Sequence, residues 1–575
     1  MQIEDSYPLS PIQHGMLVHS LSAPQSGVYI QQLVSLLREE LNVIAFQRAW
    51  EQVLRRHPAL RTSFFWEGRE QPVQRVHRDV LLPFQNLDWS GRAPDDQEKQ
   101  LECFLQTDRQ LGFRLDQAPL IRLTLVRCAQ AEYRLIWTSH HALFDGRSRL
   151  LLLNEVFAFY EAICRGENLN LSNPSPYRSY IDWLQKQNIS AAENFWRTRL
   201  KGLNAGQSLT GNHRQPTPPQ VQSYGKKTTR LSETDTRALR SLVEQYQLTP
   251  NTLLQGAWAL LLSRYSGEDG VVFGAIRAGR HALLEGAESM IGLLINTVPI
   301  PVHVSPNSRL LPWLNSLRSE WIAMRDFEHT PLVKIHEWSP IPSGKPLFES
   351  LLVFENYQLN ALMHEQGDRW KNREFHLLGT THYPLTVAGY LGPDLSLEVT
   401  YDQQRFDEET ITRMLNHLRT LLEEMVRDPN RQLLDIPLLS PVERHQLLVE
   451  WNDTKRDYPS DKCIPQLFEE QIERTPEAAA VVFEDRQLTY RELNHKANQL
   501  AHYLRKHGVG PDDLVGICME RSVEMVIGLL GILKAGGAYV PLDPSYPKER
   551  SGFTPRPSGQ PGRSVDTVST LLTGA

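Results

Sequence analysis

His140 and His141 stand side by side, and Asp145 and Gly146 follow His141 at four and five residues. A neutral imidazole takes a proton near neutral pH, because its unperturbed pKa is about 6.5. Between the histidines and the aspartate lie Ala142, Leu143 and Phe144, so the loop is short and carries no competing charge. The seven residues Tyr133–Ser139 before the pair are rich in aromatic and β-branched types and read as a buried strand. After Arg147, Ser148–Ile163 has the apolar spacing of a long amphipathic helix. A strand that ends in His-His and turns through Asp-Gly into a helix sets an imidazole at the mouth of a cleft.

The flanking sequence supplies the elements that must hold such a loop. Ser10 before Pro11 has the form of an N-cap with proline at the first helical position. Val43–Arg56 reads as a helix that turns at His57-Pro58 into a strand from Thr62, and two strands separated by a polar hairpin lead up to the histidines. Gly202–Lys227, rich in Gly, Pro, Gln and Ser, reads as a surface connection. Beyond it, Thr249 caps a helix with Pro250 at its first position, and a strand, VVFGAIR, leads to Arg280. DLSLEVTYD alternates as a strand does, and a final helix precedes Pro429.

The 575 residues predict several domains. Hydrophobic residues at 41% and charged residues at 22% are ordinary for a soluble globular chain. A net charge of -6 argues against a nucleic-acid or anionic-membrane surface. No apolar run reaches the roughly 18 residues that span a bilayer. MQIEDSYPLS is acidic and lacks the apolar core of a signal peptide. Cys103, Cys128, Cys164, Cys463 and Cys518 are scattered without CxxC pairing and read as buried reduced thiols, with no metal site, in a cytoplasmic protein.

His140-His141-Ala142-Leu143-Phe144-Asp145-Gly146 resembles the signature of nonribosomal peptide synthetase condensation domains. YPLSPIQHGMLVHSL resembles their first motif, RHPALRT the second, PSPYRSYIDW the fourth and IGLLINTVP the fifth, with later segments resembling the sixth and seventh. The resemblance covers about residues 4 to 430. It implies an α/β (α+β) fold of two chloramphenicol acetyltransferase-like lobes forming a V-shaped pseudo-dimer with a tunnel between them. The reaction implied is amide formation, in which the α-amine of an acceptor aminoacyl thioester attacks a donor acyl or peptidyl thioester. Both substrates ride on the 4'-phosphopantetheine arms of carrier proteins, and no cofactor is bound directly.

By the same resemblance, His141 accepts the amine's proton or holds the amine by hydrogen bonding, and both readings stay open. His140 shapes the loop. Asp145 points away from substrate into an ion pair with Arg280. Gly146 permits close backbone approach and offers its N–H to the oxyanion. Ser148, Arg61 and Asn296 are supporting positions. Arg147 departs from the aromatic residue of many relatives, and the Gly-Met-Leu form of the first motif leans toward a D-configured donor.

The expected organisation is a first lobe at 1–180, a second lobe at 181–430 and a linker at 431–462. QLTYRELNHKANQLAHYLRKHGV and GLLGILKAGGAYVPLDPSYPKER resemble the first two motifs of amino-acid adenylation domains. They imply a partial adenylate-forming-enzyme subdomain at 463–550. No glycine-rich loop closely followed by lysine and Ser/Thr occurs there, so amino-acid activation is not expected. Residues 551–575, loaded with Ser, Thr, Gly and Pro, read as an aberrant disordered tail left by a frameshift or truncation. The abrupt start leads to the expectation of a donor carrier arriving in trans, an acceptor carrier, and a monomer. Three alternatives stand beside the condensation reading: an epimerisation domain, a carrier-docking remnant without catalysis, and a free-standing acyltransferase.

Overall fold

The structure is a computed structural model that describes residues 2–203, 224–280, 284–355, 360, 363, 367 and 370–545. The chain divides into two compact units, Met1–Glu450 and Trp451–Ala575.

The first part of the larger unit runs through β1 (Ile3–Pro8), α1 (Pro11–Ser22), β2 (Ile30–Leu37), α2 (Val43–Arg56), β3 (Thr62–Phe65), β4 (Val73–His77) and β5 (Phe84–Asp88). It continues through α3 (Pro94–Leu111), β6 (Ile121–Ala129), β7 (Glu132–His140), α4 (Gly146–Arg165), α5 (Tyr177–Leu184) and α6 (Ile189–Arg199). The second part comprises β8 (Tyr224–Arg230), α7 (Glu233–Gln245), α8 (Pro250–Ser266), β9 (Gly270–Arg277), β10 (Asn296–His303), α9 (Leu310–Ala323), α10 (Leu332–Glu337), β11 (Ser350–Glu355), β12 (Arg373–Leu378), β13 (Leu385–Leu391) and β14 (Leu395–Asp402), closed by the helix Glu408–Arg427.

Local chemistry sets these boundaries. Ser10 and Gln13 form a reciprocal capping box at α1, with Pro11 at its first position. Asn42, Asp145 and Thr249 cap α2, α4 and α8 through side-chain oxygens. Glycines 166 and 267 end α4 and α8 in left-handed turns.

Among the described residues, strands of the larger unit form two mixed sheets, ordered β12-β2-β7-β6-β5 and β10-β9-β11-β13-β14-β8, and a small sheet β1-β4-β3. β12 comes late in the chain yet pairs antiparallel with β2, from Arg373 opposite Leu37 to Leu378 opposite Gln32. The first sheet is therefore completed by residues beyond 180. Trp50 of α2 meets Trp137 of β7 edge-on with ring centroids 4.8 Å apart, and Trp137 in turn packs on Phe144 at 5.4 Å. This aromatic stack fixes the end of β7 and the loop after it.

Three expectations need correction. Tyr224–Lys227, assigned to a surface connection, begin strand β8, which pairs with β14; its lysines hid the strand because they belong to a sheet edge. The rest of that connection, 204–223, and the tail 551–575 lie outside the described residues. Of the cysteines only Cys128 is buried, whereas Cys103, Cys164 and Cys463 are exposed. Cys103 and Cys164 sit on outward-facing turns of amphipathic helices, where burial is not required. Within 431–450, Leu433 and Ile436 are each 1% exposed and join the core of the second lobe, so this stretch packs with the larger unit.

The smaller unit begins with the helix Ile464–Arg474 and a hairpin of Ala479–Phe483 and Arg486–Thr489. Thr489 and Glu492 form a capping box on the helix Tyr490–Lys506. Leu514–Cys518 then pairs parallel with Ala538–Leu542 across the helix Val523–Ala535, a βαβ crossover. Among the described residues, no helix is long and apolar enough to cross a membrane.

Candidate active site

The loop after β7 is held from both lobes. The His140 N–H donates to Leu120 O at 3.0 Å, and the His141 N–H donates to Tyr29 O at 2.8 Å. Gln13 of α1 donates through Nε2 to Ala142 O at 2.9 Å. That glutamine also takes part in the α1 capping box, so the first motif braces the histidine loop.

The two histidines alternate to opposite faces, as strand geometry requires. His140 is 2% exposed; its Nδ1 accepts the Ala142 N–H at 3.2 Å, and its Nε2 lies 3.1 Å from Ser20 Oγ. Both nitrogens are therefore engaged in structure, and burial holds its pKa at about 3. His141 is only partly buried. Its Nδ1 lies 3.1 Å from Phe144 O, an acceptor only, so Nδ1 carries the proton and Nε2 presents its lone pair. Burial, with the nearby Arg149 charge second, lowers the pKa to about 4, which keeps the ring neutral at pH 7.

Asp145 turns away from this ring into the second lobe. It is 1% exposed and caps α4 by accepting the Ser148 N–H at 2.9 Å. The same carboxylate accepts from Arg280 Nη2 at 2.7 Å and from the Leu294 N–H at 3.1 Å. Arg280 also donates to Ser148 Oγ at 2.8 Å and to the carbonyls of Ala287 and Met290 at 2.7 and 2.9 Å. Ser148 Oγ donates to Gly292 O at 2.9 Å and accepts its N–H at 3.1 Å. Asp145, Ser148 and Arg280 thus form one buried charged network across the lobes.

Two glycines make that network sterically feasible. A Cβ on Gly279, at φ +64°, would lie 1.9 Å from Leu294 O. A Cβ on Gly292 would lie 2.1 Å from the Tyr177 ring. Gly146 differs: a Cβ there would meet no protein atom within 4 Å. Its smallness serves the open side of the loop, where the first turn of α4 points its free N–H groups.

The other expected positions lie elsewhere. Asn296, at the start of β10, donates to Glu328 O and Thr330 O, both at 2.8 Å. It lines a cavity of about 190 Å³ between the lobes, with Tyr180, Trp183 and His329. Arg61 is buried but bonded to Glu4 at 2.6 Å and to His77 O, so it ties β1 to β4 and does not join the His141 network.

Sequence reading missed several contributors. Arg149, one turn into α4, is 4% exposed, bonds Gln31 and stands 5.7 Å over the Phe144 ring. Burial lowers its pKa to about 10, leaving it charged beside His141. Tyr177 and Tyr180 of α5 donate to Leu293 O and Leu294 O at 2.8 and 3.2 Å. The pairing of two tyrosine hydroxyls on one helical face, at i and i+3, was the available signal.

A family model described as a condensation domain matches residues 3–448. The chain belongs to the condensation domain family. A second model, for an AMP-binding enzyme, matches residues 468–558. A linear gramicidin synthase of Brevibacillus parabrevis is 42% identical over 551 residues, covering 96% of this chain and 7% of that protein. Bacitracin synthase 1 of Bacillus licheniformis is 35% identical over 562 residues, covering 97% of this chain and 11% of that protein. The condensation domain therefore spans, with its AMP-binding segment, only about a tenth of the length of these relatives. A four-domain nonribosomal peptide synthetase bound to AMP and glycine superposes with a TM-score of 0.74 at 22% identity, over 96% of this chain and 42% of that one. The starter condensation domain of rhizomide synthetase, in complex with C8-CoA, gives 0.64 at 19% identity, over 76% of this chain and 98% of that one.

Proposed function

We propose that residues 1–450 catalyse amide-bond formation between a donor acyl or peptidyl thioester and the α-amine of an acceptor aminoacyl thioester. Both substrates are carried on the phosphopantetheine arms of carrier proteins, which are the partners this reading requires. The observation that carries it is the fixed tautomer of His141, a neutral imidazole whose Nε2 lone pair is free for an incoming N–H.

Nε2 accepts a hydrogen bond from the neutral acceptor amine and aligns its lone pair on the donor carbonyl carbon. As the C–N bond forms, Nε2 takes the ammonium proton, and the carbonyl oxygen becomes an oxyanion. Free N–H groups at the start of α4, Gly146 among them, stabilise that charge with the positive end of the helix dipole. Collapse of the tetrahedral intermediate breaks the C–S bond, and the imidazolium returns its proton to the departing thiolate. Asp145 does not touch the reacting atoms; with Arg280 and Ser148 it locks the start of α4. The epimerisation reading is not favoured, because the relatives matched through the condensation segment continue into the AMP-binding segment as this chain does.

The test is a single-turnover assay with donor- and acceptor-loaded carriers, read by intact-protein mass spectrometry. Dipeptidyl product on the acceptor carrier that disappears with His141→Ala supports the reading. A folded chain that transfers nothing across a panel of donors and acceptors overturns it in favour of a carrier-docking remnant.

A further inference from the structure

Tyr29 has a backbone conformation its side chain does not favour. Its φ is +65°, in the left-handed region that bulky residues rarely occupy, and Gly27 two residues earlier is at +68°. Such a conformation persists where surrounding contacts over-determine it, and these contacts lead directly to His141. The Tyr29 C=O accepts the His141 N–H at 2.8 Å, while its own N–H donates to Thr380 O at 3.2 Å. Its side chain, 5% exposed, reaches His382 Nδ1 through the hydroxyl.

Thr380 and His382 follow β12 directly, the strand that crosses into the first sheet. The His382 ring is stacked on His19 of α1, with centroids 4.0 Å apart and planes at 20°, and lies 3.9 Å from the Tyr383 ring. Burial, with His19 second, holds the His382 pKa at about 3, and burial raises that of the Tyr29 hydroxyl well above its usual value. The phenol is therefore the donor and the neutral imidazole the acceptor.

We propose that Tyr29 is a positioning residue for His141, held in its left-handed conformation by the hydroxyl bond to His382, so that the crossing segment 379–383 sets the placement of the histidine loop. Relaxation of Tyr29 toward ordinary φ turns its carbonyl away from the His141 N–H, and the tether to His382 resists that rotation. The role of His141 as the group that touches substrate rests on the condensation reading above; the mechanical coupling does not.

The experiment uses the full chain with Tyr29→Phe, His382→Phe, the double variant and His382→Gln. Phenylalanine at 382 keeps a ring on His19 but removes the acceptor, whereas glutamine supplies a carbonyl in its place. Hydrogen exchange resolved at the His141 amide is the first readout. It should speed up about tenfold or more in Tyr29→Phe and His382→Phe, no further in the double variant, and less in His382→Gln. Single-turnover condensation is the second, with a fall of about tenfold in rate at saturating acceptor and an unchanged acceptor KM. Unchanged protection of the His141 amide, or effects of the two single variants that multiply, overturns the proposal. Should Tyr29→Phe fail to fold, His382→Phe and His382→Gln decide it alone. A wild-type chain without condensation activity sinks the functional reading, while the exchange arm still judges the tether.

Discussion

Removing the Asp145 carboxylate tests the central claim that the histidine loop is locked by charge buried between the lobes. Asp145 and Arg280 are 1% and 6% exposed, and their contact is 2.7 Å. In Asp145→Ala, α4 loses its cap, at about 1 kcal/mol. The Leu294 N–H loses its acceptor and the Arg280 guanidinium is left buried without its counter-ion. Breaking a buried pair from one side costs about 3–5 kcal/mol, and that range already contains much of the cap and amide losses. Adding Arg280→Met removes the stranded charge, so the double variant should be more stable than Asp145→Ala, with a coupling of about 2 kcal/mol or more. Urea unfolding followed by tryptophan fluorescence suits the purpose, because of the 12 tryptophans only Trp451 lies beyond Glu450. A cost below about 1 kcal/mol for Asp145→Ala, or single-variant costs that simply add, refutes the reasoning.

Acid should destabilise the larger unit through its neutral histidines. His140 is held at about 3 against about 6.5 unfolded, so the unfolded state binds the extra proton below pH 6.5 and stability falls with pH. Between pH 7 and 5 this one group removes about 2 kcal/mol, and urea midpoints that do not drop, or drop equally in a His140→Asn variant, contradict it. Condensation rate should follow deprotonation of the acceptor amine near pH 7.7–8 and show no limb near 6.5, because His141 stays neutral down to about 4; a limb at 6.5 in single-turnover profiles that disappears with His141→Ala would count against the lowered pKa of His141. Gly279→Ala should cost about 1–3 kcal/mol or more, since it sets a Cβ against Leu294 O at a left-handed position. It should also slow condensation by displacing Arg280, and a variant with wild-type rate and melting temperature would separate that glycine from the network.

Much of the fold was legible because its determinants are local. Val43–Arg56, the start at Thr62 and the helix capped by Thr249 carry their own periodicity and end signals, and the structure places them at those residues. β8 was hidden because an edge strand needs only one apolar face, and Lys226 and Lys227 break the pattern. β12 could be read as a strand from REFHLL, but its partner, β2, lies more than 300 residues earlier, and no window contains both.

The site shows the same division more sharply. His140, His141, Asp145 and Gly146 announce themselves because strand, loop and helix cap are contiguous. What makes their chemistry specific is not contiguous. The Asp145–Arg280 pair joins positions 135 residues apart, and the Tyr29–His382 bond joins positions 353 apart. Arg280 entered the sequence reading through family resemblance, whereas Tyr29 offered nothing, since left-handed geometry at a tyrosine is imposed from outside its own segment. A strained aromatic that touches the histidine main chain on one side and the crossing segment on the other marks a position whose identity answers to the assembled site. Substitutions at Tyr29 should therefore alter the placement of His141 before they alter the fold of β2, which keeps its ladder to β7 from Ile30 to Leu37.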